Sequence, residues 1–577
     1  MASSKDRPTR RKRWRHAPAR PSSGGVSPAP EIRNPQSAIR NSYSLQPIVY
    51  SLLFIALAIA LFFRLPHLSD RPMHCDEANH AVKAGILLQS GQYQYDPSDF
   101  HGPTIYYFAL PVVWLTGAAS LADTSETTFR IVTVAFGVAL IAALLLVADG
   151  LGTWPTAIAA ILTAVSPAMV FYSRYYIQEI PFVFFTFAAI ASAWRYSRKT
   201  GTDSDFGSLK SVSVPAFRGL RLPWLLLAGV CIGLMQATKE TSVLAYAAMI
   251  AGLAAVLFTT PRQTRARIFA PIKPWHIAAA AIAAVAVCSL FITGFFTNPR
   301  ALADIALTYL SYFKRADGAG LHDHPWFYYL HILLYTKLGP GPWWSEALIV
   351  LLAAIGITAA AIKKSIPGAN IQLVRFLAVY TVVLTALYSL IPYKTPWCML
   401  GFLHGMILMA GIGAILLLQT LKYRPLQAAA IAALALGLLQ LAGQTQLANG
   451  TYKADTRNPY VYAHTSSDFL RLAQRFEDLA AVSPQGHNLL IKVMTPDYWP
   501  LPWYLRKFNR VGYWNEPTQD PGADIIVTST DLEPKLKSLL HGPYQTEHYG
   551  LRPEVLITVF IKQDLWQSFL ATQGASP

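Results

Sequence analysis

The sequence predicts a polytopic α-helical membrane protein that ends in a small α/β domain. Three observations carry that prediction. Of 577 residues, 53% are hydrophobic and only 14% are charged, a balance that a soluble globule of this size does not reach. Apolar segments recur from residue 47 to residue 446, and mixed polar sequence follows from about Gln444. The formal net charge of +17 is concentrated in an N-terminal tail and in short loops between apolar segments. That is the positive-inside pattern, and it argues against a nucleic-acid surface.

Residues 1–46 read as a disordered, basic cytoplasmic tail. Arg10-Arg-Lys-Arg13 and Arg15 precede a Pro/Ser/Gly-rich run to Pro30, and such polar, charged sequence cannot bury a core. The run is too long and polar for the n-region of a cleaved signal, and Pro47–Leu65 exceeds most h-regions, so it reads as a retained first span. Further apolar segments fall at 104–118, 129–148, 155–172, 180–195, 223–238, 242–259, 275–296, 326–338, 343–362, 371–391, 397–418 and 425–446. Basic loops at Arg195–Arg221, Arg262–Lys273, Lys363-Lys364 and Lys422–Arg424 belong in the cytoplasm. Counting every segment as a span would send Arg195–Arg221 outside. The segments 104–118 and 326–338 are short, Pro-led and Tyr/Trp-rich, and reading them as interfacial helices restores parity. The result is about eleven spans, with the N-terminus inside and the C-terminal part outside. Arg198 and Lys364 are then cytoplasmic, while Asp76, Lys394 and Asp497 face outward.

Three regions follow: the tail 1–46, a transmembrane domain 47–446 with a first external loop 66–128, and an extracytoplasmic domain 447–577. In the last, Asn488–Met494, Ala523–Val527 and Glu554–Ile561 read as strands, and Asp468–Leu479 and Asp531–Leu540 as amphipathic helices. The four cysteines, Cys75, Cys231, Cys288 and Cys398, have no framework spacing, so neither a disulfide scaffold nor a zinc ribbon is indicated.

Parity puts the chemically interesting loops on one face. No phosphate-cradling P-loop or Rossmann turn is visible, so a transferase there needs a lipid-borne activated donor. Asp76-Glu77 lies about ten residues past the first span. Gly91-Gln-Tyr-Gln-Tyr-Asp96-Pro and Phe100-His-Gly-Pro103 follow it, a setting for general-base chemistry at the lipid–water boundary. The same pair is also what a solvated loop or a helix first turn carries. His74, Asp76, Glu77, His80 and His101 could donate N/O ligands, but their spacing matches no zinc pattern. No metal is assigned, and a divalent cation stays open. Tyr498-Trp-Pro-Leu-Pro-Trp503-Tyr and Tyr513-Trp514 could stack on sugar rings or anchor at the interface.

The stretch MHCDEANHAVKAGILLQSGQYQYDPSDFHGPTIYY resembles the first external loop of the protein O-mannosyltransferase-like membrane glycosyltransferases, which have the GT-C fold. Three later stretches are similar in the same order: Ser166-Pro with Ser173-Arg174 and Gln178-Glu179, then Ala237-Thr-Lys239-Glu240-Thr, then Tyr393-Lys394-Thr-Pro396-Trp. Together they cover residues 47 to about 420 and most resemble a prokaryotic subgroup described as flippase-activity-associated. The resemblance implies a multi-pass plasma-membrane enzyme that transfers a sugar, with inversion, from a polyprenyl-phosphate donor to a protein, lipid or glycan acceptor outside the cell. It implies Asp76 as general base beside Glu77, and Arg174, Lys239 and Lys394 as cations for the leaving phosphate. His101, Tyr106, Glu179 and Trp397 become acceptor or sugar contacts, and no cofactor is required. An Arg or Lys at a span end is also the usual snorkelling anchor. In one departure, Gly102 stands where many relatives carry a basic residue. The phosphate contact must then come from elsewhere, or the chain binds lipid-linked saccharides without transferring them.

Overall fold

Residues 35–97, 101–198, 221–269, 272–316, 322–363 and 365–573 are described by the structure, a computed structural model. The first thirty-four residues and Lys364 lie outside them, as does most of the basic loop after Arg198.

Every apolar segment of the sequence forms a helix. Six helices are long and apolar enough to cross a membrane by length and composition: Glu126–Leu151, Ser242–Thr259, Pro274–Ile292, Ile371–Leu390, Pro396–Thr420 and Arg424–Asn449. A seventh is the pair Thr153–Val165 and Pro167–Ser173, bent by 59° where Pro167 follows Ser166. Tyr50–Arg64, Leu222–Thr238 and Ala347–Ile362 are shorter apolar helices. The first helix starts at Pro35, upstream of the apolar run at Pro47. Thr104–Leu115 has 12 residues and Tyr328–Leu334 has 7. At 1.5 Å per residue these reach about 18 and 10 Å, well short of a roughly 30 Å hydrocarbon core. Both suit an interfacial position.

With lipid outside, apolar burial cannot drive these helices together, so close packing must. Gly229 and Gly233 show how. A Cβ at either would collide with the carbonyl oxygen of Ala280 or Ala284, so Leu222–Thr238 lies backbone to backbone on Pro274–Ile292. Several helices were not predicted, two of them 16 residues long. Ala301–Ala316 falls within a stretch read as loop, and Cys75–Ser90 begins at the acidic pair itself.

Beyond residue 449 a five-stranded sheet forms. A two-residue pairing, β1 (Thr336–Lys337) with β2 (Trp343–Trp344), precedes it in the chain. The sheet comprises β3 (Leu490–Met494), β4 (Arg510–Trp514), β5 (Ile525–Ser529), β6 (Tyr544–Arg552) and β7 (Val555–Lys562), in the order β4-β3-β5-β7-β6. β3 runs parallel to β4 and β5, while β7 is antiparallel to β5 and β6. Side chains alternate as the pleat requires. Ile491, Val493, Ile525 and Val527 join the core under helices Phe469–Val482 and Gln563–Gln573, while Ile526 meets Leu536 on the other face. The predicted strands and both predicted helices are present. The edge strands β4 and β6 were not read, because their burial pattern is mostly partial.

Candidate active site

The site is built on the N-terminus of helix Cys75–Ser90. His74 caps it, its ring accepting from the Asp76 N–H at 3.1 Å, while Glu77 reaches back to the His74 N–H at 3.1 Å. This reciprocal cap divides the carboxylate pair. Glu77 turns inward and is wholly buried. It receives Nε and Nη2 of Arg130 at 2.8 Å each, Arg71 at 3.4 Å and the Tyr176 N–H at 2.9 Å. Burial opposes its charge, but Arg130 and Arg71 hold the carboxyl far below the usual range. Glu77 therefore holds the helix cap and the two arginines together and does not line the cavity that Asp76 faces. Asp76 turns the other way, with 41% of its side chain open to a cavity. Burial pushes its carboxyl up, yet the neighbouring imidazoles, led by His74 at 3.7 Å, bring it below its ordinary value, so it is a carboxylate at neutral pH.

The cavity has a volume of about 390 Å³. Asp76, Asn79, His80 and His101 form one side, and Gln178, Glu179 and Lys239 another. Thr395, Trp397 and Cys398 close it from the loop before helix Leu400–Thr420, and Trp499 comes from the C-terminal domain. Lys239 binds Glu179 at 2.5 Å, both side chains being about 95% enclosed. His101 sits at the rim, 3.5 Å from Glu240, and its backbone bridges to Lys239. That bridge explains Gly102. Its N–H donates to Thr238 O at 3.3 Å, and a Cβ there would collide with the carbonyl oxygen of Ala237. A basic side chain at this position has no room.

The three cations assigned to phosphate do not converge, and only Lys239 lines the cavity. Arg174 donates to Phe63 O at 2.8 Å and His67 O at 3.0 Å, capping orphan carbonyls at the end of the first helix. Lys394 points into a cage of carbonyls, reaching Ile391 O at 2.5 Å and His324 O at 2.9 Å. Their charges are spent on backbone, which corrects the sequence assignment. Tyr106 is likewise displaced: it is buried behind His80, ring centroids 5.8 Å apart, and does not reach the cavity. His101, Glu179 and Trp397 line the cavity with Asp76. Asn79 and Tyr388 were missed. The signal for Asn79 was its place three residues after Asp76, on one face of a helix that was not predicted.

For a metal, His74, Cys75 and Asp76 bring one ligand atom each within 4.8 Å of one another. The His74 Nδ1 is already engaged by the helix cap. Both nitrogens of His80 are engaged too, one by Tyr176 O at 3.2 Å and one by Gln178 at 3.0 Å. His74 Nδ1 and both His80 nitrogens are thus committed to structure, whereas Asp76 stays open to the cavity.

The helical bundle, the capped acidic helix of its first loop and the cavity facing that helix define a membrane protein of the GT-C fold. Residues 106–301 match the family described as dolichyl-phosphate-mannose-protein mannosyltransferase. That match covers about a third of the chain, and it makes this region similar to that family. Among solved structures it is similar to ArnT from Cupriavidus metallidurans bound to undecaprenyl phosphate. The TM-score is 0.56 at 14% identity, over 89% of this chain and 98% of that one. The apo oligosaccharyltransferase of Archaeoglobus fulgidus is similar at TM-score 0.52 and 12% identity, over 90% of this chain and 77% of its own. No curated protein matches the chain by sequence.

Proposed function

We propose that this protein is an integral membrane glycosyltransferase that moves a sugar from a polyprenyl-phosphate donor to an acceptor hydroxyl on the extracytoplasmic face. The reading rests on one observation: an ionised, cavity-facing Asp76 shares a single enclosed space with Lys239. Asp76 takes the acceptor proton as the new bond forms at the anomeric carbon. The bond from that carbon to the lipid phosphate breaks on the opposite side, which inverts the configuration. Lys239, withdrawn from Glu179, offsets the charge on the departing phosphate. The similar ArnT was solved bound to undecaprenyl phosphate, which supports a donor of this class.

Asp76→Asn keeps the shape and removes the base. In proteoliposomes supplied with radiolabelled polyprenyl-phosphate sugars, transfer should fall by about 10²- to 10⁴-fold while donor binding survives. Unchanged turnover would instead make the protein a carrier or partner of lipid-linked saccharides.

A further inference from the structure

The aromatic run 498–504 of the C-terminal domain divides in the structure. Its later members bolt the domain to the first loop. Trp503 donates its indole N–H to Glu126 at 2.8 Å, the Tyr504 hydroxyl accepts from the Met73 N–H at 2.9 Å, and Arg506 reaches Thr124 O at 2.8 Å. Thr465 adds a bond to Met73 O at 2.7 Å, one residue from the cap of the Asp76 helix. This docking is buried and polar, so the domain has a fixed position over the cavity.

Trp499 is different. It is half-buried and lines the cavity beside Asp76, opposite in origin to Trp397 and Tyr393, which come from the loop before helix Leu400–Thr420. Trp397 is held edge-on by His74 at 5.7 Å and Tyr462 at 5.9 Å. Trp499 is backed by Tyr498 at 5.8 Å, and Tyr498 in turn by Tyr513 at 5.2 Å. An ion pair between Asp497 and Arg552 fixes the loop beneath. An interfacial anchor would sit at a span end facing lipid, whereas this indole sits in a separate domain and lines the same cavity as Asp76. Rigid aromatic faces around a polar floor are what a pyranose ring needs, since its C–H face is apolar and its hydroxyls are not.

We propose that Trp499 is a sugar-ring platform supplied by the C-terminal domain, closing with Trp397 and Tyr393 on a pyranose held against Asp76. The inference rests on the glycosyltransferase reading, and it makes the C-terminal domain part of the substrate site. The ring is the donor's sugar or an acceptor's, and the two sources separate in the test.

The experiment uses the full-length protein with Trp499→Leu, which keeps apolar bulk without the face, and Trp499→Phe, which keeps the face. Binding of polyprenyl-phosphate mannose, polyprenyl-phosphate glucose and bare polyprenyl phosphate is measured without acceptor. If the donor sugar stacks, Leu weakens at least one sugar-bearing lipid by about 3- to 10-fold and leaves the bare lipid unchanged, and Phe restores affinity. If an acceptor sugar stacks, donor binding is unchanged and the acceptor KM rises at constant kcat, again with rescue by Phe. Equal loss for all three lipids, or no loss in either arm, overturns the proposal. A lowered thermal midpoint in Leu but not in Phe variants would mark a packing role and also overturn it. The donor arm reads binding without turnover, so it stands apart from any failure of the transferase reading.

Discussion

Replacing Glu77 by Gln should damage the protein far more than replacing most surface carboxylates, although Glu77 does not line the cavity. The change keeps the volume and removes one charge. In the native site two guanidinium groups converge on that charge, Arg130 through two 2.8 Å bonds and Arg71 at 3.4 Å. Side-chain exposure is 0% for Glu77 and 1% for Arg130, so water cannot replace the lost counter-charge. Breaking a buried pair by removing one partner costs about 3–5 kcal/mol. That corresponds to roughly a 10²- to 10⁴-fold shift in the folding equilibrium. The pH dependence gives a second readout. The folded pKa of Glu77 lies below its unfolded value of about 4.3, so its contribution is fully present above that value. It is lost as pH falls through the folded pKa. Wild type and Glu77→Gln should therefore differ by a constant amount from pH 8 down to about 5 and converge only at stronger acidity. Thermal denaturation of the full-length protein in detergent, run across that range, measures both. A variant as stable as wild type at pH 7 would refute the assignment of Glu77 as the counter-charge of this cluster.

Two further outcomes are expected. Lys239→Gln should weaken binding of the polyprenyl-phosphate donor by about 10- to 150-fold, the worth of one charge-assisted hydrogen bond to phosphate. Arg174→Gln and Lys394→Gln should leave donor affinity intact and lower only thermal stability, and equal affinity losses in all three would restore the sequence-based assignment. Single cysteines at positions 198 and 497, labelled with a membrane-impermeant reagent in intact cells, should react only at 497. Labelling at 198 would reverse the orientation of the chain.

Much of the fold was legible because a span or a buried strand must show its apolar surface in the sequence itself. The bundle helices lie where the hydrophobic runs predicted them, and short apolar runs marked β3, β5 and β7. The site was legible in part. Asp76, Lys239, Glu179, His101 and Trp397 were singled out by the resemblance of their motifs, and all five line the cavity. Arg174 and Lys394 carry the same local signature. What separates them is whether carbonyl oxygens from distant residues, such as Phe63 and His324, reach the cation first, and no local pattern encodes that. Gly102 was noticed as a departure, but its reason is a close approach to Ala237, a partner far along the chain. Trp499 belongs to the same class, a cavity wall far in sequence from the residue it faces.

The docking of the C-terminal domain on the first loop also has a consequence for biosynthesis. Asp76 emerges from the ribosome early, whereas Trp499, Trp503 and Tyr504 are made after the last helix of the bundle, Arg424–Asn449. A chain still being synthesised thus holds its acidic helix without the wall that encloses it. The cavity takes its final form only when residues 499–504 have been made and have settled on Met73 and Glu126. Met73 thus waits through 431 further residues before Tyr504 is made to hold it.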